Sequence, residues 1–125
     1  MNNIEKNMDD DVKQRLDWLK EKYGRIPLVV EKMAERPDIF IPYFDFSKLV
    51  LFEPKYLDRK TLELATIAAG SSLASEHCLG IHLEQALVAG ASKEEIMEVL
   101  LLGAYMSLTK SQSIAFRAFN QIISK

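Results

Sequence analysis

Ser75-Glu76-His77-Cys78-Leu79-Gly80-Ile81-His82 holds the only cysteine and both histidines of the chain. Before it, Leu62 to Ala74 is apolar and rich in small residues. After it, Leu83 to Val88 is amphipathic. Ser75 reads as a helix N-cap, because its hydroxyl can accept a bond from the backbone N–H of His77 or Cys78. One helix then ends before Ser75 and another begins after it, and the two apolar runs become an antiparallel hairpin. Cys78 falls in the first turn of the second helix, where unbonded N–H groups and the positive end of the macrodipole favour a thiolate. His82 lies one turn further along the same face. A thiol beside an imidazole at a helix N-terminus is an arrangement that activates a cysteine.

The rest of the chain is also helical in pattern. Residues 1–8 are expected to be disordered, with Asp9, Asp10 and Asp11 at the start of a helix carrying Val12, Leu16, Leu19 and Tyr23. Gly24 ends it, and Pro27 follows. Trp18 reads as a packing anchor. A short helix over 28–35 faces Leu28, Val29 and Met33 inward, and Arg36-Pro37 breaks it. Residues 38–52 hold Phe40, Tyr43, Phe44, Phe46, Leu49, Leu51 and Phe52. The spacing predicts a helix interrupted or started late around Pro42, with a strand as the alternative. This aromatic run is expected in the core or at a subunit interface. Asp58 caps a helix running to about Ala74, with Leu62, Leu64, Ala65, Ile67, Ala68, Ala69 and Leu73 as its interior. Glu63 reads there as a surface residue or a partner of Arg59 or Lys60, with a general base as the functional alternative. Gly90 fits a helix C-terminus, and Ser92 with Glu95 forms a capping box. One helix is expected to run on to Leu108 and a separate last one from Lys110 to Ile123.

The 125 residues suffice for one compact domain, expected over 1–125. Apolar residues make up 48%, which favours an all-α domain with apolar surface left for a partner subunit. The formal charge of −2 is spread without a basic stripe, which argues against nucleic acid. No run of apolar residues is long enough to span a membrane. The polar, acidic N-terminus has no signal-peptide pattern, and a single cysteine suits a reducing compartment, so a cytoplasmic location is expected.

Glu63, followed by Ser75-x-x-Cys78-x-x-x-His82 and then Ala86-x-x-x-Gly90-x-Ser92-x-x-Glu95-Ile96, resembles the carboxymuconolactone decarboxylase and AhpD-like family. Leu57-Asp58-Arg59-Lys60-Thr61-Leu62-Glu63-Leu64 is similar to that family's entry to its central helix. Lys22-Tyr23-Gly24-Arg25-Ile26-Pro27 with Arg36-Pro37 is similar to its N-terminal lead. The resemblance covers roughly residues 20–118. It implies an AhpD-like fold of five to seven helices and assembly as a trimer or hexamer. The redox members carry a C-x-x-C pair, a histidine and a glutamate on the preceding helix. By resemblance Cys78 matches the second cysteine, His82 the histidine and Glu63 the glutamate, the latter two relaying a proton from the thiol. The first cysteine of the pair falls on Ser75, so an internal disulfide cannot form. The other branch decarboxylates 4-carboxymuconolactone without needing a cysteine.

The expected catalytic residues are therefore Cys78, His82 and Glu63, with Ser75 and His77 in secondary places. His77 points about 100° round the helix from Cys78. No cofactor and no metal are expected, since a thiolate and one histidine fall short of the four ligands of structural zinc. The preferred activity is thiol-dependent oxidation and reduction, with a peroxide or disulfide as substrate and an external thiol or redoxin as reductant. The alternatives are γ-carboxymuconolactone decarboxylation, with Arg59, Lys110 and Arg117 as candidate carboxylate ligands, and a non-catalytic oligomeric binding domain.

Overall fold

The computed structural model describes residues 2–124, which form six α-helices and no strand. They are α1 (Asn3–Tyr23), α2 (Leu28–Met33), α3 (Pro37–Phe52), α4 (Arg59–Ser72), α5 (Glu76–Val88) and α6 (Lys93–Ile123). The all-α expectation holds. The backbone divides into two compact units between residues 55 and 56.

The first unit contains α1 to α3. α1 begins at Asn3 rather than at Asp9, because Asn2 and Glu5 make a capping box: Glu5 N–H donates to the Asn2 side chain and Asn2 N–H to the Glu5 carboxylate. Of the span expected to be disordered, Met1 lies outside the described residues. Gly24 terminates α1 in the left-handed region at φ 74°. In α2 Met33 faces the core as read, joined by Val30 and the following Ala34, whereas Leu28 and Val29, also expected inside, are exposed. α3 is unbroken through Pro42. That proline is exposed, so the ladder bond it cannot make is on the solvent side, while Pro37 occupies the first turn, where no donor is required. Leu19, Phe40 and Phe44 form the buried centre of this unit. Trp18 packs edge-on against Phe44 and Phe52, at centroid distances of 5.9 and 4.9 Å. Tyr43, Phe46, Leu49 and Val50 of α3 are exposed, so only part of the aromatic run lies in this core.

The second unit contains α4, α5 and α6 around Ile67, Ala86, Ala91 and Ile96. Asp58 caps α4 by accepting from Thr61 N–H at 2.7 Å, which holds its carboxyl below the usual aspartate range. α4 ends at Ser72, and Leu73, expected in its interior, is 77% exposed. Ala65 and Ala69 also face outward. α6 is one helix of 31 residues where two were expected. Residues 109–111 contain neither glycine nor proline, and the Thr109 hydroxyl donates back to the Met106 carbonyl without interrupting the ladder.

α4 and α6 approach closely at Gly103. A Cβ there would meet the Ala68 carbonyl oxygen and would lie 2.8 Å from Ser71 Cβ. Two hydroxyls fasten the same crossing: Ser71 donates to the Leu100 carbonyl at 2.9 Å, and Ser107 donates to the Ser72 carbonyl. The N-terminal ends of these helices are joined as well. Lys60 reaches Glu95 at 2.7 Å while Glu95 completes the α6 capping box with Ser92. The ammonium, and then the Ser92 N–H, hold the Glu95 carboxyl below its usual range.

Candidate functional site

α4 and α5 form the antiparallel hairpin that presents the site. The buried positions of α4 are Glu63, Ile67 and Gly70, spaced four and three residues apart, so one stripe of the helix faces inward. The facing stripe of α5 contains Ile81, His82 and Ala86, with Cys78 half-buried one turn before His82. Glu63 stands opposite His82, and Gly70 stands opposite Cys78. A Cβ at Gly70 would be 3.5 Å from Cys78 Cβ, ordinary contact distance. The α4 backbone at Gly70 thus packs beside the thiol-bearing turn with room for a methyl group.

Ser75 caps α5 in the manner read from the sequence, and of the two possible donors it accepts from Cys78 N–H, at 3.4 Å. The Ser75 N–H in turn donates to the Gly70 carbonyl at 2.9 Å. Between the two helices, Ala74 is the one described non-glycine residue at positive φ, 52°. Cys78 therefore lies in the first turn of α5, tied through its own N–H to the serine hydroxyl. His77 is exposed and lies off the Glu63-facing stripe.

Glu63 is where the sequence reading needs correction. It is not a surface residue: it is 3% exposed, and His82 is 5% exposed. Its Oε2 and His82 Nδ1 are 2.7 Å apart, and its Oε1 accepts from Arg59 Nη1 at 3.2 Å. A carboxylate only accepts, so with Glu63 charged the Nδ1–H donates and the ring's lone pair is on Nε2. Among the described side chains, no fully buried nitrogen or oxygen lacks a hydrogen-bond partner. The bond to His82 spans nineteen residues of sequence, which is why a local reading of α4 could not find it. The one local signal was Arg59 four residues before Glu63, and the structure selects it over Lys60, which pairs with Glu95.

Glu63 is set back from the cysteine along the hairpin. Along α4 it is seven residues from Gly70, about 10 Å at the helical rise. Glu63 and His82 thus form a hydrogen-bonded pair, and Cys78 stands four residues before His82 on the same helix. Among the described residues, no three His, Cys, Asp or Glu side chains are grouped so that they could hold a metal ion. A cavity of about 200 Å³ in the first unit involves none of these residues. It is lined by Gln14, Arg15, Trp18, Phe44, Asp45 and Lys48. There Arg15 forms a two-pronged pair with Asp45, at 2.9 and 3.0 Å. No described helix is long and apolar enough to cross a membrane.

Residues 37–121 match the carboxymuconolactone decarboxylase family, and the chain belongs to that family. The matched segment starts at the first residue of α3 and ends within the last turn of α6, so Lys22 to Pro27, read as part of the resemblance, lie outside it. No curated protein matches the chain.

Proposed function

Starting from membership of the carboxymuconolactone decarboxylase family, we propose that the chain is a thiol-dependent oxidoreductase with Cys78 as its nucleophile. The observation that carries this reading is the buried Glu63–His82 pair, 2.7 Å apart, one turn from a half-buried cysteine in the first turn of a helix. A carboxylate and an imidazole buried together and hydrogen-bonded are costly to remove from water, and such a pair is suited to moving a proton. His82 Nε2 takes the thiol proton, with Glu63 stabilising the imidazolium through Nδ1–H. The Cys78 thiolate attacks the terminal oxygen of a hydroperoxide, and the O–O bond breaks. The sulfur becomes a sulfenic acid, and the proton returns to the leaving oxygen, giving an alcohol or water. With a disulfide as substrate, the S–S bond breaks instead and a mixed disulfide forms.

Ser75 occupies the place of a resolving thiol, and the chain has no second cysteine. Regeneration therefore draws on an external thiol or redoxin: one thiol displaces water from the sulfenic acid, and a second releases Cys78 as its thiol. We also propose that the chain works as a homo-oligomer, a trimer or hexamer. The support is the apolar surface left open on α3 and α6, including Phe46, Phe116 and Phe119.

The test is the rate of Cys78 alkylation by iodoacetamide at pH 7, in the native protein and in Glu63→Gln and His82→Ala. The native rate should exceed that of a peptide thiol by about tenfold, and both variants should fall toward the peptide rate. Peroxide or disulfide turnover should vanish in Cys78→Ser. A native rate equal to that of a peptide thiol, unmoved by either change, removes the reading. Lactone decarboxylation that survives Cys78→Ser and is lost in His82→Ala would make the chain a lyase. Against that outcome, the Arg59 guanidinium is engaged with Glu63, and Lys110 and Arg117 lie on an exposed part of α6.

A further inference from the structure

We infer that Arg59 is a positioning residue of this site, setting the proton-accepting form of His82 through Glu63. This role rests on the reading of Glu63 and His82 as a proton relay. A carboxylate removed from water requires compensation at each oxygen. Glu63 receives it from two sides: His82 Nδ1 at Oε2 and Arg59 Nη1 at Oε1.

Two adjacent cations, Arg59 and Lys60, could have served Glu63, and they divide. Lys60 pairs with Glu95 and Arg59 with Glu63. The stability of α4 does not account for an arginine at this place. Arg59 is the first residue of the helix, where the macrodipole disfavours a cation, and arginine four residues before glutamate is the weaker order for an ion pair within a helix. The Arg59 side chain is 38% exposed while that of Glu63 is 4% exposed, so a side chain rooted at the surface reaches an interior group.

The consequence falls on the imidazole. The guanidinium carries a permanent charge, which favours Glu63 as a carboxylate and therefore as an acceptor. Nδ1–H then donates, and the lone pair is fixed on Nε2, the nitrogen that takes the thiol proton. Without Arg59, a neutral Glu63 carboxyl can donate its own proton to Nδ1. The ring's N–H then moves to Nε2, and the base is lost without any atom of His82 or Cys78 being changed.

The test uses the full chain, with ¹⁵N NMR of the His82 ring and Cys78 alkylation at pH 7 in the native protein, Arg59→Gln, Arg59→Met and Arg59→Lys. The native ring should carry its proton on Nδ1. In whichever of Arg59→Gln and Arg59→Met keeps the native circular dichroism, the signature should shift toward Nε2–H. Alkylation should then slow about three- to tenfold. Arg59→Lys, which keeps the charge, should restore part of both. A ring signature unchanged in the uncharged variants overturns the inference. A shifted signature, with alkylation insensitive even to Glu63→Gln, upholds Arg59's role and removes the thiol reading instead.

Discussion

Ala74 is held at φ 52° by two hydrogen bonds, from Ser75 N–H to the Gly70 carbonyl at 2.9 Å and from Ala74 N–H to the Ser71 carbonyl at 3.2 Å. This is the pairing that closes a helix on a left-handed residue, a place that glycine usually fills because a Cβ there is crowded. Ala74→Gly should raise stability by about 1 kcal/mol, read as a higher urea midpoint at unchanged slope. Residue-scale features of this kind divide by the range over which they are determined. Gly24, Asp58, Ser75 and Ser92 were legible because a cap is decided within three or four residues, and each terminates or starts a helix as read. Glu63 was not. Arg59-Lys60-Thr61-Leu62-Glu63 has the look of an exposed first turn, and what covers the glutamate is α5, a separate element.

At the scale of the helix, two glycines with the same intrinsic cost have opposite surroundings. Gly70 has room for a methyl group at ordinary contact distance, whereas Gly103 has the α4 backbone against it. Gly70→Ala should stabilise the protein by about 0.5–1 kcal/mol through helix propensity. Gly103→Ala should destabilise it by about 1–3 kcal/mol through overpacking, despite the same gain in propensity. Thermal midpoints of the two variants, moving in opposite directions, check both. The errors in reading elements were of one kind. Pro42 and the junction between Leu108 and Lys110 were taken as breaks, yet a helix runs through each, and Pro42 and Lys110 are exposed. There the loss of one ladder bond, or a run of polar residues, costs little. The inward face of α2 was misassigned in part, because six residues give too few turns for periodicity to fix a direction.

For the whole molecule, the aromatic run over 38–52 was read as core or interface, and the count of apolar residues anticipated uncovered surface. It lies on the outer side of α3 and along α6, where Leu101, Tyr105, Leu108, Phe116, Phe119 and Ile122 are all exposed. Sedimentation should therefore give a mass several times 14.2 kDa, and Phe116→Glu combined with Phe119→Glu should lower it toward that of one chain. The α4–α5 hairpin was readable because both arms are contiguous in sequence. The proposed self-association was expected from an excess of apolar surface and from the family resemblance, because the partner surface is absent from any one chain's pattern.

α6 has a further consequence that belongs to kinetics. Its 31 residues extend about 46 Å, more than twice the length of the 13-residue α5 and 14-residue α4. Every described residue from Lys110 onward is exposed. In a solitary chain those turns are retained by propagation alone, and their amide protons should exchange progressively faster toward Ile123. In an assembled particle the gradient should flatten. The exchange profile along this one helix would therefore act as a clock for assembly, reading how long each chain spends alone without a label on the thiol or a substrate in the site.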